Sequence, residues 1–162
     1  MLHRRITTAP FRTLPQWRVS GHAVIFAHMR KGVRVIKMIA LVVLALAFIA
    51  AGVNHFVNPT FYVKIMPAYL PAHLELVYVS GVFEILGGVA VLIPRIRGIA
   101  GWGLVLLLIA VFPANLHMAL NPELYPGLSR AALYARLPLQ ALLIAWAYWA
   151  TRPDTTSSHS RA

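Results

Sequence analysis

Four long, continuously apolar stretches constrain this chain more than anything else in it. They cover residues 36–53, 74–93, 99–120 and 131–149. A helix crossing a bilayer needs roughly 20 such residues at about 1.5 Å rise each, and all four are close to that length. None alternates apolar with polar residues, so a membrane β-barrel does not fit. Composition agrees: 59% of the 162 residues are hydrophobic and only 12% charged, where soluble domains carry about 25% charged residues. The expected fold is all-α, a four-helix transmembrane bundle. Residues 1–33 form a basic N-terminal tail, 34–151 the membrane domain, and 152–162 a C-terminal tail.

The net charge of +11 arises from 15 Lys and Arg against 4 Asp and Glu. Such a balance can mark nucleic-acid binding, but its distribution here is that of membrane topology. Arg4, Arg5, Arg12, Arg18, Arg30, Lys31, Arg34 and Lys37 precede or open the first apolar run. Arg95 and Arg97 lie between the second and third, and Arg152 and Arg161 follow the fourth. The other two connections carry only Lys64 and Arg130. By the positive-inside rule both termini and the Arg95–Arg97 connection face the cytoplasm. The chain has no cysteine, which excludes thiol redox chemistry, Cys-ligated Fe–S clusters and Cys-based zinc sites within it.

The first 28 residues show no helical periodicity and no signal-peptide pattern. Two readings fit: a disordered tail, or a start of translation at Met29, where "MRKGVRVIKMIALVV" is an ordinary basic flank to a first span. The last residues, 157–162, read as a frayed end.

The odd spans end alike. Span one leaves as "NHFVNPTFY" and span three as "NLHMALNPELY". Each has a His, then Asn-Pro, then an aromatic or leucine before Tyr. Among the even spans, matching Tyr78 with Tyr134 sets Glu84 opposite Gln140. The chain therefore reads as two helical hairpins in parallel repeat, against the simpler reading that Asn-Pro is a common helix stop.

Within the membrane, Glu84 stands out, about ten residues from either end of span two. An ionised carboxylate in hydrocarbon costs several kcal/mol unless it is paired or protonated. Glu84 therefore faces the bundle, either as a functional group or as helix glue. Ser80, Gly81, Gly87 and Gly88 on its face admit a close neighbour. Arg136 either snorkels to the outer surface or turns inward to pair with Glu84, with Gln140 one turn deeper. Asn54 with His55, and Asn115 with His117, sit near the outer interface. Pro113 leaves the Ile109 carbonyl without its helical partner, so the bundle has to satisfy it. The histidines lie on different helices with no carboxylate at their level, which leaves no metal site in the reading. Tyr62 and the other outer tyrosines read as an interfacial belt.

In order along the chain, "NHF", "MPAYLP", "SGVFEILGG", "GWGL", "FPAN" and "RLPLQ" resemble the DoxX family of small bacterial membrane proteins. The resemblance covers about residues 29–149. It implies a four-helix bundle in the bacterial inner membrane and a link to quinone-dependent oxidoreductases. It carries over no catalytic residue set. The expected function is a redox-associated, quinone-linked accessory subunit. Its polar pocket, open to the outer leaflet, is lined by Glu84, Arg136, Gln140, His55, His117, Asn115 and Asn54. A quinone is the expected ligand, with a redox protein or a second copy of the chain as partner. The alternatives are a membrane scaffold or assembly factor, or a small transporter.

Overall fold

The computed structural model describes residues 16–153. Among the described residues there are five α-helices: α1 (Gln16–Val57), α2 (Pro59–Lys64), α3 (His73–Ala90), α4 (Arg97–Leu120) and α5 (Arg130–Thr151). A 3-10 turn, Pro122–Leu124, follows α4, and among the described residues there is no strand. His28–Val57, His73–Ala90 and Arg97–Leu120 are long and apolar enough to cross a bilayer, the mark of a membrane protein. Helix α5 has the length, at 22 residues, but is not among them. Arg130, Arg136, Gln140 and Pro138 dilute its hydropathy.

Helix α1 begins at Gln16, well ahead of the first apolar run. The unstructured tail expected over residues 1–28 is thus helical from residue 16 on. Its first 15 residues, and the frayed end expected at 157–162, lie outside the described residues. The chain divides into two compact units, Met1–Ile36 and Lys37–Ala162. In the first, the described side chains of α1 are exposed, among them Ile25, Phe26, Met29, Val33 and Ile36. The second holds the helix packing described below.

That packing forms two apolar clusters. The larger joins Leu41, Leu44, Ala45 and Phe48 of α1 to Leu104, Val105 and Leu108 of α4 and Ala147 and Ala150 of α5, with Val91 at the foot of α3. The smaller joins Ile65, Met118 and Leu133, with Tyr62, Tyr125 and Leu128 against them. Many other large apolar side chains, such as Leu46, Phe83, Leu106 and Leu142, are exposed, which suits a lipid-facing surface. Helices α1 and α3 approach through glycine. A Cβ on Gly81 would lie 2.9 Å from the Gly52 carbonyl, and one on Gly88 2.8 Å from the Ala45 carbonyl. Only hydrogen fits there, so the two backbones touch.

The two Asn-Pro sequences fold the same way. Asn58 has φ −126° and ψ 54°, and Asn121 has φ −126° and ψ 58°. This non-helical geometry breaks each helix. Proline then opens the next turn, where its missing N–H costs nothing. Matching turns follow: Phe61 N–H to the Asn58 carbonyl at 3.2 Å and Leu124 N–H to the Asn121 carbonyl at 3.1 Å. The same holds for Ile65 to Tyr62 at 3.3 Å and Leu128 to Tyr125 at 2.9 Å. The match is therefore anchored on Asn-Pro, and this register sets Asn54 against His117 and His55 against Met118. The two histidines, expected to be counterparts, are not.

Candidate functional site

Glu84 lies two-thirds of the way along α3, on the face that the glycines bring against α1. Its side chain is 12% exposed. The group opposite is His55, whose Nδ1 is 3.3 Å from Glu84 Oε2. The same Nδ1 is 2.9 Å from the Ala51 carbonyl oxygen, one turn back on α1. A carbonyl only accepts, so Nδ1 carries a hydrogen and donates it there. Its proton is already directed to Ala51, and Glu84 Oε2 is left buried with no hydrogen-bond donor among the described residues. The ring of His55 fits at this depth because Gly81 has no Cβ: one would stand 2.8 Å from the Cβ of His55.

The other face of His55 is covered by Tyr62, stacked at 3.7 Å between centroids with 20° between the planes. Tyr62 belongs to α2, so the Asn58 break and the Pro59 turn are what fold its ring back onto α1. Asn54 fixes its position: Nδ2 donates to the Tyr62 hydroxyl at 2.8 Å, and Oδ1 accepts from Asn58 Nδ2 at 2.8 Å. A polar line therefore runs Tyr62–Asn54–Asn58, and Asn58 is exposed. Tyr62 and Asn58 are absent from the candidate set drawn from the sequence. The available signal was the spacing, since a tyrosine four residues past the break is one helical turn away and can reach back.

Of the seven candidates, the structure brings together Glu84, His55 and Asn54. Asn115 and Gln140 form a separate tie between α4 and α5: Asn115 Nδ2 donates to Gln140 Oε1 at 3.0 Å, and Gln140 Nε2 donates to the Leu108 carbonyl. Gln140 is 3% exposed. The carbonyl it serves is one residue before the Ile109 carbonyl that Pro113 was expected to orphan. Among the described residues no hydrogen bond joins this tie to the Glu84 group. His117 pairs with its own helix end, where Asn121 Nδ2 donates to His117 Nδ1 at 3.1 Å and to its carbonyl at 2.8 Å. Asn121 therefore caps α4, and His117 is held at that helix end. Arg136 makes no ion pair with Glu84. The inward pairing offered as one reading of the sequence is corrected, because His55 occupies that position. A single layer of Glu84, Arg136 and Gln140 does not form, since the glycine seam turns Glu84 toward α1 while Gln140 is bonded to α4.

Among the described residues, no three His, Asp or Glu side chains come close enough to hold a metal ion. At the same end of the molecule, outside the spans, burial pushes the Tyr125 phenol up from its usual 10.0. Its hydroxyl donates to the Lys64 carbonyl at 3.3 Å.

The chemistry available at Glu84 is that of a buried acceptor beside an imidazole and under an aromatic lid. It suits a ligand that brings a hydroxyl, amine or other donor. No curated protein matches this chain. No solved structure matches it either. The family model described as "Domain of unknown function (DUF8561)" matches residues 44–151, two-thirds of the chain, from Leu44 in α1 to the last residue of α5, and the chain belongs to that family.

Proposed function

We propose that this is a four-span, DoxX-like protein of the bacterial inner membrane with both termini in the cytoplasm. In this reading it is a quinone-linked accessory subunit of a redox complex. Helix α5 is the fourth span: 22 residues reach about 33 Å, enough for the hydrocarbon core. The orientation follows from the basic residues at the Lys37, Arg95–Arg97 and Arg152 end. The site opens toward the outer leaflet through Asn58 and Tyr62.

One observation carries the functional part: the buried Glu84 Oε2 that lacks a donor, 3.3 Å from an imidazole. A quinol hydroxyl would donate to that oxygen and hand it one of the two protons released on oxidation, the other leaving to water at the exposed Asn58 side. The stacked Tyr62 and His55 rings give the head group a flat neighbour. The chain holds no electron carrier of its own among its side chains, so both electrons pass to a partner that carries a flavin, haem or similar group. Arg136, Gln140, Asn115 and His117 leave the ligand site in this reading and become structural.

The scaffold alternative is weakened by where the small residues are spent. Gly52, Gly81 and Gly88 are consumed in the α1–α3 contact and present no seam to a partner. The transporter alternative needed Glu84 and Arg136 together. The test is thermal unfolding of the purified protein in detergent with a short-chain benzoquinone analogue. The wild type is expected to gain stability and Glu84→Gln to gain none. Equal gains in both proteins sink the quinone reading, and a stable co-purifying partner unaffected by Glu84→Gln restores the scaffold.

A further inference from the structure

At the opposite end from Glu84's outer neighbours, Arg152 closes α5 in an unusual setting. Its guanidinium carbon lies 4.2 Å from the Tyr148 ring centroid and 5.0 Å from that of Trp102. Trp102 and Tyr148 meet edge to face at 5.6 Å and 80°. The two rings form a cradle supplied by α4 and α5, held together where Thr151 fills the space left by Gly101. Lys37 of α1 reaches the same place, its Nζ donating to the Arg152 carbonyl at 2.5 Å. The backbone of Arg152 is thus pinned from α1 while its side chain is steadied by aromatic faces.

Cation–π contact uses the flat faces of a guanidinium and leaves its in-plane N–H groups for acceptors. Among the described residues none of those N–H groups has an acceptor. The surroundings are cationic as well. Arg97, one turn before Gly101, donates its Nε to the Val91 carbonyl, and Arg95 is exposed on the turn just before it. The three acidic residues among those described lie elsewhere: Glu75 opens α3, Glu123 sits in the 3-10 turn after α4, and Glu84 is within α3; the fourth, Asp154, lies outside the described residues. Exposed Trp149 and Trp102 are the residue type that settles at a membrane–water interface.

We infer that Arg152, cradled by Trp102 and Tyr148 beside Lys37 and Arg97, binds the headgroup phosphate of an anionic phospholipid in the leaflet bounding this end. The planar fork of Arg152 matches phosphate oxygens in pairs, exposed tryptophan is a residue type that suits the interfacial region, and Arg95 and Arg97 favour a lipid with net negative charge. The site is independent of the Glu84 group and of any quinone.

The test uses the full-length protein in detergent micelles doped with phosphatidylglycerol, with phosphatidylcholine, or with inorganic phosphate alone. It reads thermal unfolding, and lipid retention by native mass spectrometry. Phosphatidylglycerol is expected to stabilise the wild type and remain bound, and the other two additions to do neither. Arg152→Gln is expected to retain phosphatidylglycerol about fivefold more weakly, as loss of one interfacial cation implies. Arg152→Lys, which keeps the charge but not the planar fork, falls between the two. Arg130→Gln, at the other end of α5, behaves as wild type. A full phosphatidylglycerol response in Arg152→Gln or Arg152→Lys overturns the inference. So does an equal response to phosphatidylcholine, which would mean no charge selection, or to inorganic phosphate, which would mean an anion site without a lipid.

Discussion

Glu84 and Gln140 have side chains of the same shape near the middle of α3 and α5, and they are used in opposite ways. Gln140 spends both ends of its amide: it accepts from Asn115 and donates to the Leu108 carbonyl, and the α4–α5 contact closes over it. Glu84 spends almost nothing: one oxygen is buried without a donor, and the α1–α3 contact is made beside it by glycine backbones. One hairpin is held by a polar tie and the other by shape. A polar group that is not needed to hold helices together is available for a ligand, and this places the candidate site in the first hairpin. The two tyrosines past the Asn-Pro breaks both pack against Ile65, Met118 and Leu133, and of the two Tyr62 also stacks on a histidine.

The largest effect expected from this contrast is at Gly81. Gly81→Leu drives a side chain into the Gly52 carbonyl and His55, and should cost about 3 kcal/mol or more as α1 and α3 part. Thermal unfolding in detergent reads it. A near-wild-type melting point would mean that shape does not hold this hairpin. Next comes an exchange of the two polar residues. Gln140→Glu sets a carboxylate oxygen against the Leu108 carbonyl and should destabilise by about 2–3 kcal/mol. Glu84→Gln exchanges a carboxylate whose buried oxygen has no hydrogen-bond donor for a neutral amide and should be neutral or stabilising. Equal losses in both would erase the distinction between tie and site. Tyr62→Phe keeps the stack but removes the acceptor for Asn54, for about 1 kcal/mol. It should also leave the mobility of the His55 ring increased in side-chain NMR relaxation.

The smallest effect concerns pH at Tyr125. Burial raises its folded-state value above the unfolded one, so the folded protein holds that proton more tightly. The stabilisation is complete below the ordinary value of 10.0 and is lost as pH climbs beyond it. An alkaline melting series should therefore show a loss in the wild type that is smaller in Tyr125→Phe. The same alkaline loss in both proteins would assign it to another group.

Much of the helical plan was legible because apolar length is a direct physical requirement of the bilayer. Spans two and three differ from α3 and α4 by only a few residues at each end. The Asn-Pro endings were legible as well, since proline readily opens a helical turn and asparagine tolerates the break before it. Three things were not. The helix before residue 28 has no apolar periodicity to announce it. The different use of the two histidines was not visible either: one residue apart in the Asn-Pro register, His55 faces Glu84 while His117 is held at its own helix end. The partner of Glu84 was sought in the nearest opposite charge, Arg136. Which helix faces a given residue depends on the glycine contacts, and a stretch such as "SGVFEILGG" shows that something comes close without showing what.

The contact between Gly52 and Gly81 also bears on how fast anything could reach Glu84. Two helices whose backbones touch do not part without losing their whole interface, so that wall moves slowly, on the microsecond-to-millisecond scale of helix shifts. Tyr62 rides on a six-residue helix joined to α1 through the single residue Asn58. Short connecting segments move in nanoseconds to microseconds. The rate of exchange at Glu84 is then governed by the hinge at Asn58 and Pro59, while the strength of binding is governed by α1 and α3. Affinity and speed are assigned to different parts of the sequence and can be altered one at a time.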